Sequence, residues 1–538
     1  MKGDVTLKNI RIENIRSLKD TGEVTLAPIT LLVGENSSGK STFLRTFPLI
    51  KQSIQKKTNG PLLWAGDVDD YVDFGSFEET LTVGGAKNMV LTFSFPLVSN
   101  KTSLPYFWFS ELDGEQTYSV NVKYRITIEQ NKGKEYVSEL DLNINDIQYK
   151  FLAREGEDTS ILINNVPVEI LKEDEISKLD RATYIQVVGR FNNIFGFRIP
   201  DATSLLREEI TVPEEYKAHA SFYEEAIHDS AMYTIGAALI QSVPLDELFE
   251  YILNCYDDDS PHGKLICSAA KELIAKAQDQ EKAKKNLFHA ALLFYFYYSF
   301  SDIENYLGTY FRQVHYIAPL RATAERYYRL RNSAIDEVDY QGKNLAIFLN
   351  SLPTKRMELF QQWTMHHFGF KTLVKKSEGH LSIKVAFGDG ARAMNLSDTG
   401  FGYSQILPII TQLWELSTRK KPKDEEDDEN IPLVIAIEQP ELHLHPAMQA
   451  RLAKAFIACI KLAREHGYEL QLLLETHSQP IVDYFGRAIA RKDLENEDVV
   501  VILFERSLDA GQTMVRTSHY DENGYLLNWP VGFFAPGE

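Results

Sequence analysis

Positive charge is in short supply: 57 Lys and Arg stand against 76 Asp and Glu, leaving a formal net charge of −19 over 538 residues. A balance of that sign repels a polyanion, so nucleic-acid binding driven by counterion release is not a bulk property of this chain. Local basic groups remain at Arg326, Arg329 and Arg331, at Lys371, Lys375 and Lys376, and at Arg419, Lys420, Lys421 and Lys423. Their ordinary role is a solvated charged face or loop. Cysteine is scarcer still. Cys255, Cys267 and Cys459 show no C-x-x-C spacing, which argues against a disulfide framework or a zinc site and fits a reducing cytoplasm. The longest apolar run, Ala290 to Tyr298, is about half of what a bilayer span requires and reads as a buried helix. Met1 to Lys8 lacks the basic-then-apolar pattern of a secretory signal, so a cytoplasmic protein without a membrane partner is expected. There is no internal repeat, and no sustained heptad runs through the helical stretch at 204–315, which argues against a long coiled-coil arm and for a compact helical insertion.

What is present is the composition of a core-forming protein, with 44% hydrophobic residues, 30 Phe and 26 Tyr. The length suggests several domains, or one domain carrying large insertions. Organisation centres on Gly34-Glu35-Asn36-Ser37-Ser38-Gly39-Lys40-Ser41, which fits G-x-x-x-x-G-K-[ST] at every fixed position. Ile29 to Val33 before it reads as a buried strand, and Thr42 to Phe47 after it has helical spacing. The glycines let successive N–H groups turn inward on a polyphosphate, and the helix start adds partial positive charge. Lys40 would reach the β- and γ-phosphates, Ser41 would take one position on Mg²⁺, and Thr42 would donate to the α-phosphate.

Three later segments supply the other half of such a site. Leu433 to Ile437 is an apolar strand delivering Glu438 at its tip, the candidate second ligand of Mg²⁺, and Gln439-Pro440-Glu441 follows. Leu472 to Leu474 is another apolar strand, ending in Glu475-Thr476-His477-Ser478, with His477 able to donate to a γ-phosphate or to an attacking water. The third segment, Leu396 to Gln405, sets glycines and small hydroxyls at the head of a helix, where N–H donors can meet an anion; an ordinary cap at Ser404 is the competing reading.

The order of these segments resembles the ABC-type ATPase fold of SMC, RecF and OLD-like proteins, over residues 1–95 and 316–530. Within that group, Glu438-Gln439-Pro440-Glu441-Leu442-His443-Leu444-His445-Pro446 with Glu475-Thr476-His477-Ser478 resembles the soluble AAA-type ATPases of bacterial defence, the PtuA-like group of Septu and retron-associated systems. The resemblance implies ATP and Mg²⁺ held by Lys40, Ser41 and Glu438, and His477 as the switch histidine. It also implies a signature of Gly402, Ser404 and Gln405 reaching the γ-phosphate of a second subunit, with Ser397 competing for the serine place. ATP would then be sandwiched in a homodimer. Gln439 stands where the pattern has its catalytic glutamate and cannot take a proton from water, so hydrolysis is expected to be slow unless Glu441 or His477 substitutes.

No Asp-x-Asp pair follows Val499 to Phe504, which reads as the last core strand, so a nuclease would have to be another chain, for which the resemblance implies an HNH-type partner. A RecF-like DNA-binding repair ATPase, or an adaptor for a retron reverse transcriptase and its DNA–RNA product, are the alternatives. The expected fold class is α/β, an ABC-type P-loop head with an antiparallel β-subdomain and a large helical insertion. Its expected divisions are 1–95 for the first part of the head, 96–203 for the β-rich subdomain, 204–315 for the helical insertion and 316–538 for the rest of the head.

Overall fold

The computed structural model describes residues 6–56, 58–67, 70–99, 118–145, 147–153, 160–167, 190–191, 197–198, 300, 302–330, 335, 337–388, 390–419, 431–506 and 512–530. In chain order the strands are β1 (Asn9–Ile15), β2 (Leu18–Asp20), β3 (Val24–Thr25), β4 (Ile29–Gly34), β5 (Asn88–Ser99), β6 (Tyr118–Asn131), β7 (Lys134–Ile144), β8 (Ile147–Leu152), β9 (Ser160–Ile163), β10 (Val166–Pro167), β11 (Arg190–Phe191), β12 (Phe197–Arg198), β13 (Val314–Ile317), β14 (Tyr328–Arg329), β15 (Lys371–Ser377), β16 (His380–Ala386), β17 (Met394–Asn395), β18 (Leu433–Glu438), β19 (Leu470–Glu475), β20 (Val499–Arg506) and β21 (Thr513–His519). The helices used below are α1 (Lys40–Gln55), α2 (Phe77–Thr80), α3 (Leu345–Ser351), α4 (Thr354–Phe368), α5 (Phe401–Ser417), α6 (Pro446–Glu465) and α7 (Gln479–Ala490). Two compact units result, one from Thr58–Leu62 and Val90–Gly308, the other from Thr6–Lys57, Leu63–Met89 and Thr309–Glu538.

The first unit is a meander of order β10-β9-β8-β7-β6-β5. Its alternation is plain in β8, where Ile147, Tyr149 and Phe151 are buried and the residues between them are not. Turn chemistry fixes the register. Lys132 (φ 50°) and Gly133 (φ 78°) join β6 to β7, and Asn164 (φ 49°) and Asn165 (φ 62°) join β9 to β10, both in the left-handed pairs that match strand twist. The antiparallel sheet of the expected fold class is therefore present in its described strands. Of the helical insertion expected over 204–315, residues 300 and 302–312 are described and helical and 314–315 already belong to β13; 204–299 and 301, with the apolar run at 290–298, lie outside the described residues.

The second unit holds a six-stranded sheet of order β13-β18-β19-β4-β20-β21, parallel throughout except for β21. Strands β4, β18 and β19 are buried at every residue, which is why they read as unbroken apolar runs rather than as alternation. The expected fold class, a P-loop α/β head with an antiparallel sheet, is observed. One expectation is corrected: β20 is not the last strand, because β21 pairs antiparallel with it from Arg506↔Thr513 to Val500↔His519. β21 is buried at only some positions, and such a mixed edge strand carries no continuous apolar run to announce it.

Topology decides where the motifs meet. β19 lies between the phosphate-loop strand β4 and β18, with Glu475 paired in register to Glu438 on one side and to Leu32 on the other. In a parallel sheet the carboxyl ends of these strands share one edge, where ligands bind in open α/β folds. Around it pack α5, α6 and α7, whose buried faces, Trp414 and Phe456 among them, join Phe360 of α4 in one apolar core, while α1 packs against β4, β13, β18 and β19. Two helix starts at this edge are set locally: Ser478 Oγ accepts from Ile481 N at 3.1 Å to cap α7, and Pro446 occupies the first turn of α6.

Candidate functional site

The loop from Gly34 to Lys40 has the shape its glycines permit. Gly34 (φ 153°) passes so close to β20 that a Cβ there would sit 2.2 Å from the Phe504 carbonyl oxygen. Gly39 (φ 96°) is the N-cap of α1, and a Cβ on it would meet Leu18 at 2.6 Å and Ser17 Oγ at 2.7 Å. Glu35, Asn36 and Ser37 form the exposed crest, with Ser37 at φ 61°, whereas Ser38, Lys40 and Thr42 are buried. The loop is anchored from a strand that sequence reasoning missed, Thr513 Oγ1 of β21 donating to Ser38 O at 2.8 Å.

Lys40 is 3% exposed and folds over the loop, its Nζ donating to Gly34 O at 3.1 Å and to Glu35 O at 2.5 Å. Burial lowers its pKa, while the charges of Glu475, Glu35 and Glu441 oppose that. The ammonium is thus near several carboxylates and available to a phosphate in the same cradle.

Three carboxylates gather at the strand tips, and each is held differently. Glu438, 2% exposed, is fully engaged: Arg45 donates Nε to Oε1 at 2.6 Å and Nη2 to Oε2 at 2.8 Å, and the Tyr316 hydroxyl donates to Oε1 at 2.7 Å. Arg45 lies one helical turn beyond Ser41 on α1, and the forked contact raises its already high pKa further. Glu475, 3% exposed, accepts the Ser41 hydroxyl on Oε1 at 2.8 Å, while its Oε2 is buried without a hydrogen-bond partner. Burial, with the neighbouring charge of Glu438, pushes Glu475 up to about 7.

Glu441 closes the arrangement. Its Oε2 accepts from Thr476 Oγ1 at 2.8 Å and its Oε1 from His477 N at 2.7 Å, so the tips of β18 and β19 are tied together. Burial raises its pKa, partly offset by these hydrogen bonds and by Arg321. Arg321, 5% exposed, donates Nη2 to Glu438 O at 2.9 Å and to Gln439 O at 3.2 Å, and its Nε and Nη1 are buried without partners. Burial lowers it to about 10, so it stays charged at neutral pH. Gln439 itself has φ 45° and is pinned by its N–H to Glu475 O at 2.8 Å. His477 is exposed as a residue, yet its partial burial and the charge of Lys40 lower its pKa, which favours the neutral imidazole.

A family profile described as "AAA ATPase domain" matches residues 6–482. The chain belongs to this family. In structure it is similar to the SMC head domain from Thermotoga maritima, at 12% identity and a TM-score of 0.32, covering 95% of this chain and 98% of that one. No curated protein matches it. Membership in an ATPase family implies a nucleotide and its divalent cation, and the residues of this AAA ATPase domain fit both. Gly34 and Gly39 let the loop pack where a Cβ would collide with Phe504 and Leu18, and an orphaned buried carboxylate oxygen beside a serine hydroxyl is the donor chemistry a hard cation takes. When bound, such a cation would neutralise phosphate charge; Lys40 would bind the phosphates beside it, and Ser41 with a strand-tip carboxylate would hold it.

The site also separates residues that the sequence joined. α5 starts at Phe401 with Gly400 as its N-cap, so Ser404 is not the cap. The Ser404 hydroxyl is 5% exposed and donates to Phe401 O at 2.7 Å within its own helix, and Gln405, 2% exposed, faces the Arg321 carbonyl at 3.5 Å. Gly402 lies against the 443–444 segment, where a Cβ would meet His443 O at 2.9 Å. Of the two competing serines, Ser397 is the exposed one, in a turn where its Oγ donates to Asn395 Oδ1 at 2.9 Å. Sequence reasoning missed Arg45, Tyr316, Arg321 and Thr513. A signal existed for Arg45, at four residues from Ser41 on one helix face.

Proposed function

We propose that this AAA ATPase domain is an ABC-type, ATP-binding switch that works as a homodimer with nucleotide between two heads. The observation that carries the nucleotide reading is the junction of Lys40, Ser41 and the β18 and β19 carboxylates at one sheet edge, reached from three separate stretches of chain. Pairing of heads is supported by the exposed head of α5, with Ser397, Gly400 and Phe401 facing outward, and by the resemblance of this segment to an ABC signature.

Hydrolysis is proposed to be slow. Gln439 cannot serve as a base, and both oxygens of Glu441 already accept hydrogen bonds. Neutral His477 is the group left to position or deprotonate water. Equilibrium ATP binding and turnover test this together in the wild type, Lys40→Ala and Gln439→Glu. Tight binding, slow turnover, loss of binding in Lys40→Ala and faster turnover in Gln439→Glu are the expected results; a wild type that binds no ATP refutes the reading.

For the biological role we propose that nucleotide state restrains or releases a partner HNH-type nuclease in bacterial antiviral defence. Its support is the resemblance of Glu438 to Pro446 and Glu475 to Ser478 to the PtuA-like group. A DNA-binding repair role draws on a different observation, the exposed Lys375 and Lys376 on β15 with Lys371 on the same strand. Salt-dependent DNA binding weakened by Lys375→Glu and Lys376→Glu would favour it.

A further inference from the structure

The carboxylate at the tip of strand β18, Glu438, is the residue a sequence reading gives to the cation, yet its oxygens are spoken for. Arg45 takes both in a fork, and Tyr316 adds a third hydrogen bond to Oε1. Glu438 therefore fixes α1 to β18 at a point one turn beyond Lys40 and Ser41. On the neighbouring strand, one position closer to the phosphate loop, Glu475 is 3% exposed, receives the Ser41 hydroxyl, and leaves its second oxygen buried with no partner. A buried carboxylate oxygen without a partner is costly, and a divalent cation coordinated by oxygens is the ligand that satisfies it.

Resting on the nucleotide reading above, we infer that Glu475, with Ser41, is the protein's carboxylate for the nucleotide-bound divalent cation, and that Glu438 is a positioning residue acting through Arg45. Two features of the fold make this assignment geometric. β19 is inserted between β4 and β18, so the Glu475 side chain stands between the phosphate loop and Glu438. Arg45 and Tyr316 occupy both oxygens of Glu438, leaving the unpartnered oxygen of Glu475 as the open carboxylate position at this edge.

The test uses Mn²⁺ as the probe, followed by its electron paramagnetic resonance with the full chain and a non-hydrolysable imido analogue of ATP. Analogue binding in EDTA is measured separately with a fluorescent derivative. In Glu475→Gln the amide oxygen can still accept the Ser41 hydroxyl, so a role confined to that hydrogen bond would leave Mn²⁺ binding unchanged. We expect Glu475→Gln to keep analogue binding in EDTA within about threefold and to weaken Mn²⁺ binding to the nucleotide-bound protein at least about tenfold. Because Glu438→Gln can loosen α1, the paired variant Arg45→Met/Glu438→Met accompanies it and should hold Mn²⁺ within about threefold of wild type. Retention of Mn²⁺ by Glu475→Gln, or its loss in the paired variant with analogue binding intact, overturns the assignment. Failure of the wild type to bind the analogue in either buffer overturns the nucleotide reading itself and the assignment with it.

Discussion

Arg45→Ala tests how the two halves of the site are held together. Glu438 is 2% exposed and receives three hydrogen bonds, two of them from Arg45. Removing the guanidinium leaves a buried carboxylate with the Tyr316 hydroxyl alone and with Glu475 paired beside it on β19. Breaking a buried ion pair from one side costs about 3–5 kcal/mol. The Arg45 side chain is 33% exposed, so water can enter the space it leaves, and about 2–3 kcal/mol is the better expectation. Hydrogen exchange at the amides of β18 and α1 is the suitable assay, because a chain of two compact units need not unfold in one step. Arg45→Ala and Glu438→Gln should each accelerate exchange there, and Arg45→Met/Glu438→Met should recover most of the loss, since the partners disappear together. A loss below about 0.5 kcal/mol in Arg45→Ala, or a paired variant as damaged as the sum of the singles, would refute the claim that this pair clamps α1 to the sheet.

Further predictions concern other parts of the same unit. Gly34→Ala should abolish nucleotide binding and lower the thermal midpoint, because its Cβ would sit 2.2 Å from the backbone oxygen of Phe504, which cannot move without displacing β20; unchanged binding by calorimetry would contradict the packing argument. Glu441→Ala should loosen the link between the β18 and β19 tips and change turnover more than equilibrium ATP binding, read from single-turnover kinetics against a binding isotherm. For pH, burial together with His366 and Lys454 lowers His367 to about 4 from its ordinary value near 6.5. The folded state favours the neutral ring, so its contribution is complete above about 6.5 and is lost as pH falls towards 4. Midpoints recorded across that window should fall more steeply in the wild type than in His367→Gln, and parallel curves would rule His367 out as a source of the dependence.

The sequence by itself determined the elements that depend on near neighbours. Gly34 to Ser41 specifies a tight loop between strand and helix, and the unbroken apolar runs before Glu438 and Glu475 specify strands buried on both faces, since local spacing and solvent exclusion act within a few residues. It also placed Lys40, Ser41, Glu438, Glu441 and His477 at element ends, where a parallel sheet gathers ligand-binding groups. What the carboxylates do there was decided by tertiary structure alone. Glu438 and Glu475 look alike in sequence, each an acid ending an apolar strand. Only the strand order, with β19 inserted beside β4, gives Ser41 to Glu475, and only the path of α1 brings Arg45 across 393 residues of chain to occupy Glu438. Likewise Ser404 and Gln405 are buried, with Gln405 against the Arg321 carbonyl 84 residues away, and no periodicity records that neighbour. A side chain's type and its place on an element are local properties; its hydrogen-bond partner is a property of which surfaces the fold has pressed together.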